Sequence, residues 1–281
     1  MQSELGTLYV VATPIGNLQD ITFRAIEILR QVDQVVAEDT RHTRILLKHF
    51  SIQKPISALH DFNEHQQLRK VIHALQQGKS IALVSDAGTP LISDPGFPLL
   101  REAIACGIKV IPIPGVCAAI AALSVAGLPT DQFVFEGFLP AKQEARRQRL
   151  QLLSSETRTI VFYEAPHRFI SAMQTMVDVF GGKRMACVAR ELTKIHESII
   201  SDHLQSLFTY FQSHPAKQRG EFVIIVAGVQ LDNQSDSASS KQVLNILLSE
   251  LPLKQAVKLA SKITGERKNV LYEAALNLSL K

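Results

Sequence analysis

The chain has no Trp, only three Cys, and no apolar run approaching the ~20 residues needed to cross a bilayer. The missing Trp excludes nothing by itself. Cys106, Cys117 and Cys187 are odd in number and form no Cys-x-x-Cys pair, which argues against a disulfide framework and a structural zinc site. The longest apolar-rich stretch, Val110 to Gly127, is interrupted by Pro112, Pro114 and Gly115. Met1 to Thr7 lack the basic start and apolar run of a secretory signal, so a soluble, cytoplasmic protein without a membrane partner is expected.

Several catalytic patterns are absent as well. No Gly-x-Gly-x-x-Gly follows the first expected strand, so an ordinary dinucleotide site is not supported. Gly78-Lys79-Ser80 ends like a phosphate-binding loop, but position 73 is His and the tripeptide leads into a strand, so it reads as a turn. There is no His-Glu-x-x-His or Gly-x-Ser-x-Gly, and His196-Glu197 has no zinc-ligand partner at helical spacing. No metal is expected.

What remains is ample material for a core. The 281 residues are 46% hydrophobic and 20% charged, enough for two domains and a small third one. The net charge of +4 is mild, but it is unevenly placed. Residues 241–281 hold seven basic and three acidic residues, and 231–240 carry −2, so the tail is the most basic part for its size.

Short β-branched runs alternate with helical patterns. Strands are expected at 8–12, 34–37, 81–85 and 109–113, and helices near 22–31, 41–49, 63–77 and 95–106. Continuous apolar strands separated by helices predict a largely parallel sheet covered on both faces. A break near Gly127-Leu128-Pro129 precedes a second α/β unit with strands at 133–135, 159–163, 184–189, 198–201 and 222–227 and a charged helix at 142–153. The expected organisation is an N-terminal α/β domain over 1–127, a second over 128–230, a polar linker over 231–240, and a helical basic tail over 241–281.

Three loops rich in small residues each follow a strand: Thr13 to Leu18, Ser85 to Gly96, and Ile113 to Ala119. In open α/β sheets ligands collect at the carboxyl ends of strands, where Gly and Ala let backbone amides approach closely. Any one such loop is ordinary turn chemistry, and three in one domain indicate a site. Two more segments follow strands in the second unit: Phe162-Tyr163-Glu164-Ala165-Pro166-His167-Arg168 and Ala189-Arg190-Glu191-Leu192-Thr193-Lys194. By themselves their acid–base neighbours read as surface ion pairs. In Ala37 to Arg44, Thr40 suits a helix cap with Glu38 and Asp39 near the positive helix end. That leaves Arg41, His42 and Arg44 for phosphate or substrate contact.

Together these segments resemble the tetrapyrrole (uroporphyrin-III C/corrin) methylase superfamily, and more closely its ribosomal RNA small-subunit methyltransferase I branch. The likeness rests on Val11 to Leu18, Ala37 to Arg44, Val84 to Gly96, Pro112 to Gly115, Phe162 to Arg168 and Ala189 to Lys194, and spans roughly residues 5–230. It implies two α/β domains of the tetrapyrrole-methylase type, a homodimer, S-adenosylmethionine bound between the domains, and 2′-O-methylation of a cytidine in 16S ribosomal RNA, free or within the 30S subunit. Carried over, the cofactor residues are Pro14, Asp86, Ala87, Gly88, Thr89, Ile92, Cys117 and Ala118, with Phe162, Tyr163 and Leu192 from the second domain. Porphyrinoid enzymes have Gly-Asp-Pro where this chain has Gly88-Thr89-Pro90, so Asp86 or Asp94 must supply that carboxylate or its contacts are lost.

The tail fits the RNA branch as a small helix-turn-helix-like extension in which Lys254, Lys258 and Lys262 recur every four residues as one basic stripe. Lys142, Arg146, Arg147 and Arg149 make a second basic surface, and Arg168 is a further candidate RNA contact. A ribose hydroxyl is a poor nucleophile, so a base should help: Glu191 and Glu164 are candidates, and Lys194 is one if burial depresses its pKa. A porphyrinoid C-methyltransferase, a non-catalytic RNA-binding protein and a cofactor sensor remain as alternatives.

Overall fold

The computed structural model describes residues 5–59, 64–229 and 233–279. The chain divides into two units, Met1–Gly228 and Val229–Lys281. The first unit holds two five-stranded sheets.

In the first sheet, β1 (Thr7–Val11), β2 (Gln34–Ala37), β3 (Ile56–Ala58), β4 (Ile81–Val84) and β5 (Lys109–Ile113) lie in the order β3-β2-β4-β1-β5, all parallel. Strand parity sends alternate side chains to opposite faces. Leu8, Val36, Ile81 and Leu83 pack with Val71 and Leu75 of α3 (Glu64–Gln76) and Leu99 and Ala103 of α4 (Phe97–Ala105). Val11, Val35, Ala37 and Val84 meet Ala25 and Leu29 of α1 (Phe23–Gln31) and Leu47 of α2 (Thr40–His49) on the other face. Both faces are covered, as a parallel sheet requires. Asn63, expected in the third helix, lies outside the described residues. β3 is a strand the sequence patterning did not indicate.

The second sheet differs from a parallel α/β unit. Its order is β6-β7-β10-β8-β9, with β6 (Phe133–Phe138) parallel to β7 (Thr159–Glu164) and every other neighbour antiparallel: β8 (Met185–Arg190), β9 (Ser198–His203) and β10 (Phe222–Val226). Only residues 191–197 separate β8 from β9, too few for a parallel crossover. One face packs on α6 (Gln143–Leu152), α7 (Pro166–Phe180) and α8 (Leu204–Ser213) through Leu150, Phe162, Phe169 and Phe211. Phe169 stacks on Phe222 with ring centroids 3.9 Å apart and meets the Phe211 edge at 4.9 Å.

The other face is covered by α5 (Ala118–Val125), a helix that the broken run 110–127 did not reveal. Ala119, Ala122, Leu123 and Ala126 are buried against Val161, Cys187, Ala189, Val223 and Ile225. Its outer side stays open, with Ile120 and Val125 52% and 51% exposed. α5 follows the last strand of the first sheet and packs on the second, so the two sheets share a core where the sequence suggested a boundary at 127.

In the second unit α9 (Asn233–Glu250), α10 (Leu253–Thr264) and α11 (Lys268–Ser279) enclose Leu244, Val257, Ala260, Leu271 and Ala275. Gly265, at φ 74°, ends α10 in the left-handed cap that glycine accommodates best. The expected linker is corrected here. Positions 231–232 lie outside the described residues, but the backbone from Asn233 to Ser240 is already the first half of α9. Low helix propensity in the Ser-rich stretch yields to packing of the same helix through Leu244.

Phe169→Ala removes the ring at the centre of the second core. It should destabilise the protein by about 3–5 kcal/mol and lower the Tm by on the order of 10 °C, as read by calorimetry.

Candidate active site

The carboxyl ends of β1, β4 and β5 open toward the second sheet, and the loops leaving them are tied together. Thr13 and Gly88 exchange backbone hydrogen bonds of 2.8 and 3.0 Å, forming an isolated bridge. Thr13 Oγ1 donates to the Ser85 carbonyl at 3.3 Å, and Thr89 Oγ1 to the Val116 carbonyl at 3.0 Å. Thr89 therefore joins two loops. Gly88 sits at φ 81° with Ile15 Cγ2 only 3.3 Å from where a Cβ would be, so a side chain there meets both strain and a neighbour.

Between these loops and the second sheet lies a cavity of about 340 Å3. Ile15, Ala87, Ile92, Cys117 and Ala118 line it from one side; Phe138, Tyr163, Glu164, Leu192 and Val223 line it from the other. Tyr163 binds the halves directly: its hydroxyl accepts from the Ala119 N–H at 3.2 Å, capping α5 from β7. Burial, with the adjacent Cys117, raises the Tyr163 pKa and keeps the phenol neutral. Across the same gap Gly16 touches the other loop, since a Cβ there would stand 2.4 Å from Lys194 Cγ.

Backbone strain gathers around this cavity. Leu91, Ser93, Glu191 and Thr193 all have positive φ, four of the five such non-Gly residues among those described. Each strained pair brackets a cavity residue, Ile92 in one loop and Leu192 in the other. Such conformations cost about 1–3 kcal/mol apiece and persist where surrounding structure imposes them, typically at ligand sites.

The polar groups divide into engaged and open. Asp86 accepts from the Asp39 N–H at 2.9 Å and meets His42 Nδ1 at 3.3 Å. Asp39 caps α2 and holds Arg41, whose guanidinium keeps its carboxyl well below the usual range. Asp39, His42 and Asp86 offer ligand atoms within 4.8 Å of one another, but these bonds already occupy them in fixing α2 to the cavity rim. Asp94 and Glu164 are different. Each lines the cavity and has one carboxylate oxygen, Asp94 Oδ2 and Glu164 Oε2, buried without a hydrogen-bond partner. Burial pushes Asp94 up to about 6; a Ser85 hydrogen bond resists and the Asp86 charge adds to the rise. Burial also raises Glu164, against the Ala165 N–H, Arg168 and Arg146. Glu164 Oε1 accepts from the Ala165 N–H at 2.8 Å and from Arg168 Nη2 at 3.0 Å.

Of the expected cofactor residues, Asp86, Ala87, Gly88, Thr89, Ile92, Cys117, Ala118, Tyr163 and Leu192 line this cavity. Two do not. Pro14 is absent from the lining, and Phe162, one residue out of phase with Tyr163, points into the opposite core. Asp94, named only as one of two sources for the absent carboxylate, lines the cavity as well. Ile15, Phe138 and Val223 were missed because an apolar residue at a strand end looks the same in a core and in a cleft.

The expected bases are sorted by the same geometry. Glu191 lies off the cavity lining and accepts from Lys194 Nζ and from the Glu221 N–H, both at 2.9 Å. Burial pushes Glu191 up, but the Glu221 N–H and Lys194 outweigh it and the net shift is downward. Lys194 also reaches Glu221 Oε2 at 3.0 Å; burial pulls its pKa down, yet Glu191 and Glu221 carry it up. The expectation of a burial-depressed lysine is therefore corrected: two carboxylates hold Lys194 protonated.

Two basic residues also leave the expected RNA surface. Arg146 is 4% exposed, with Nε donating to Thr175 Oγ1 at 3.2 Å, because it falls on the inner face of α6 beside Leu150. Arg168 turns inward to Glu164 and to the Leu139 carbonyl at 3.3 Å. Lys142, Arg147, Arg41, His42 and Arg44 are exposed, and so are Lys254, Lys258 and Lys262 on α10.

Asp94 gives a pH signature. Its folded pKa of about 6 lies above the unfolded ~3.9. The ligand-free protein therefore has this group's full contribution below pH ~4 and loses it as the pH rises through about 6. Asp94→Asn should raise the Tm by a few degrees at pH 8, with the gain vanishing by pH 4 in a calorimetric pH series.

Comparison with known proteins places this geometry. The model for Tetrapyrrole (Corrin/Porphyrin) Methylases matches residues 7–207, and that for the RsmI C-terminal HTH domain matches residues 234–279. Ribosomal RNA small subunit methyltransferase I of Pseudomonas aeruginosa is 56% identical over 273 residues, 96% of this chain and 97% of its own. Its counterpart in Escherichia coli O157:H7 is 49% identical over 271 residues, 96% of this chain and 95% of its own. Among solved structures, Thermus thermophilus uroporphyrin-III C-methyltransferase complexed with S-adenosylhomocysteine superposes with a TM-score of 0.56 at 14% identity, covering 79% of this chain and 97% of that one. A conserved hypothetical protein from Aeropyrum pernix K1 gives 0.62 at 15% identity, covering 98% and 97%. At these identities the structures speak for the fold alone. The chain belongs to the tetrapyrrole (corrin/porphyrin) methylase family, in its ribosomal RNA small subunit methyltransferase I group.

Proposed function

We propose that this S-adenosylmethionine-dependent methyltransferase methylates the ribose 2′-oxygen of a cytidine in 16S ribosomal RNA. The observation that carries the reading is a cavity closed by both sheets, with the loops after β1, β4 and β5 on one side and Tyr163 and Leu192 on the other. The cavity fits the cofactor chemically. Apolar walls at Ile15, Ile92, Leu192 and Val223 suit its adenosyl group, and Asp86 and Asp94 suit its cationic end.

When bound, S-adenosylmethionine supplies a methyl group made electrophilic by the sulfonium. The protein's work is then alignment and removal of a proton. Tyr163 and Leu192 hold the second sheet against the cofactor loops and exclude water. The Ala165 N–H and Arg168 fix Glu164 through Oε1; in this reading Oε2, buried behind the cavity wall without a partner, accepts the 2′-hydroxyl proton once RNA binding exposes it. Its raised pKa makes it a better base than an exposed glutamate. Glu191 and Lys194 act one layer out, holding the β8 and β10 ends together.

RNA contacts in this reading are assigned in the first unit to Arg41 and His42 at the rim, Arg44 further along α2, and Lys142 and Arg147 at and on α6, and separately in the second unit to Lys254, Lys258 and Lys262 of α10. The working form is a cytoplasmic homodimer acting on the 30S subunit. No helix among the described residues is long and apolar enough to cross a membrane.

The test is incubation with methyl-labelled S-adenosylmethionine and 30S subunits from a strain lacking the enzyme, followed by digestion to nucleosides. Label is expected in 2′-O-methylcytidine. Glu164→Gln should lower kcat by roughly 10²–10⁴ while leaving cofactor affinity within a few-fold. Cofactor binding without label in RNA contradicts the RNA reading, and an unchanged kcat in Glu164→Gln removes Glu164 as the base.

A further inference from the structure

A second depression, of about 670 Å3, lies at the far end of α2, where the chain turns into β3. Arg44, Lys48 and Lys54 line it together with the neutral Ser51 and Gln53, and no acidic side chain does. None of the three cations has an ion pair among the described residues, in contrast to Arg41, Arg149, Arg158 and Arg168. Arg30, whose Nη2 donates to the Phe50 carbonyl at 3.3 Å, adds a further cation beside it.

Helix capping accounts for only part of this charge. A lysine in the last turn complements the negative end of a helix, which suits Lys48. The carbonyls of Leu46, Leu47 and Lys48 are already taken by the N–H groups of Phe50, Ile52 and Ser51, with Ser51 at φ 54° making the turn. Arg44 lies a turn earlier and Lys54 lies beyond the helix, so neither serves the cap.

The depression is connected to the active cavity by α2 itself. That helix begins at Thr40, directly after Asp39, whose N–H is bound to Asp86 of the cavity wall. Over ten residues it runs about 15 Å. Arg41, Arg44 and Lys48 fall at helical spacings of three and four on one exposed face. The row leads from the cavity rim to the cationic depression.

We propose that this depression, lined by Arg44, Lys48 and Lys54, binds the phosphodiester backbone of the RNA strand that flanks the target ribose. This rests on the RNA-methylation reading and adds to it a positioning surface distant from the chemistry. Such contacts fix the register of a strand and carry no base preference. They also make affinity fall with salt in proportion to the phosphates held.

The test compares wild type with Lys48→Glu/Lys54→Glu and the milder Lys48→Gln/Lys54→Gln, using a fluorescent oligouridylate for binding and 30S subunits for methylation. Both double variants should bind the oligonucleotide about tenfold more weakly or worse, and the slope of log affinity against log salt should drop by roughly 1–2. The 30S KM should rise with kcat and cofactor affinity unchanged, and Lys48→Arg/Lys54→Arg should restore wild-type behaviour. Oligonucleotide affinity within twofold of wild type and an unaltered salt slope overturn the proposal. So does a loss seen with 30S subunits alone, which assigns the surface to a ribosomal protein, or a loss of cofactor binding, which makes the lysines structural. If wild type labels no RNA, the function reading fails first. If wild type labels RNA and the variants match it, only the phosphate site fails.

Discussion

Burial of α5 against the second sheet is the contact on which the active cavity depends. The helix leaves β5 at the carboxyl edge of the first sheet, yet its Ala119, Ala122 and Leu123 pack on Val161, Ala189, Val223 and Ile225 of the second. Each fully buried side chain of Leu or Val size is worth about 1.5–3 kcal/mol. Small alanines on α5 let helix and sheet approach closely. The loops after β1, β4 and β5 are thereby fixed opposite the strand ends of the second sheet, and the space between them is the cavity. Tyr163 reinforces the join by supplying the cap that Cys117, at the N-cap of α5, does not.

Polar groups around that join show what the arrangement is for. Burying a carboxylate oxygen without a partner is unfavourable, and two of the three such oxygens among the described residues belong to residues of the cavity wall. Asp94 Oδ2 and Glu164 Oε2 are both in this condition, while the neighbouring Glu191 and Lys194 are held in ion pairs. The strained residues flanking Ile92 and Leu192 fit the same pattern. Unpartnered acceptors and imposed backbone conformations gather in the residues around the cavity, and the Glu191–Lys194–Glu221 ion pairs lie at its edge.

Much of this was legible in the sequence, for identifiable reasons. The loops after β1, β4 and β5 stood out because close backbone approach restricts the choice to Gly, Ala, Pro and Thr. Strand direction in the second sheet was not written in its side chains, since a fully buried strand is continuously apolar whether parallel or antiparallel; only the short 191–197 connection carried that information. α5 was masked by Pro112, Pro114 and Gly115 just upstream. Phe162 and Tyr163 are adjacent in a motif but face opposite cores, a parity that a motif does not record. Arg146 looked like its neighbours on a basic helix, and only the packing of α6 on α7 reveals that it points inward to Thr175. The helical start of α9 was hidden by its Ser-rich composition.

If the cavity is held together by both sheets, a ligand occupying it must stabilise both at once. Hydrogen exchange of the full chain with and without S-adenosylhomocysteine tests this most directly. Slowed exchange is expected together in the first-sheet loops at 85–94 and 116–119 and in the second-sheet segments at 163–166 and 189–192. Protection confined to the first-sheet loops, with the second sheet unchanged, would contradict the account.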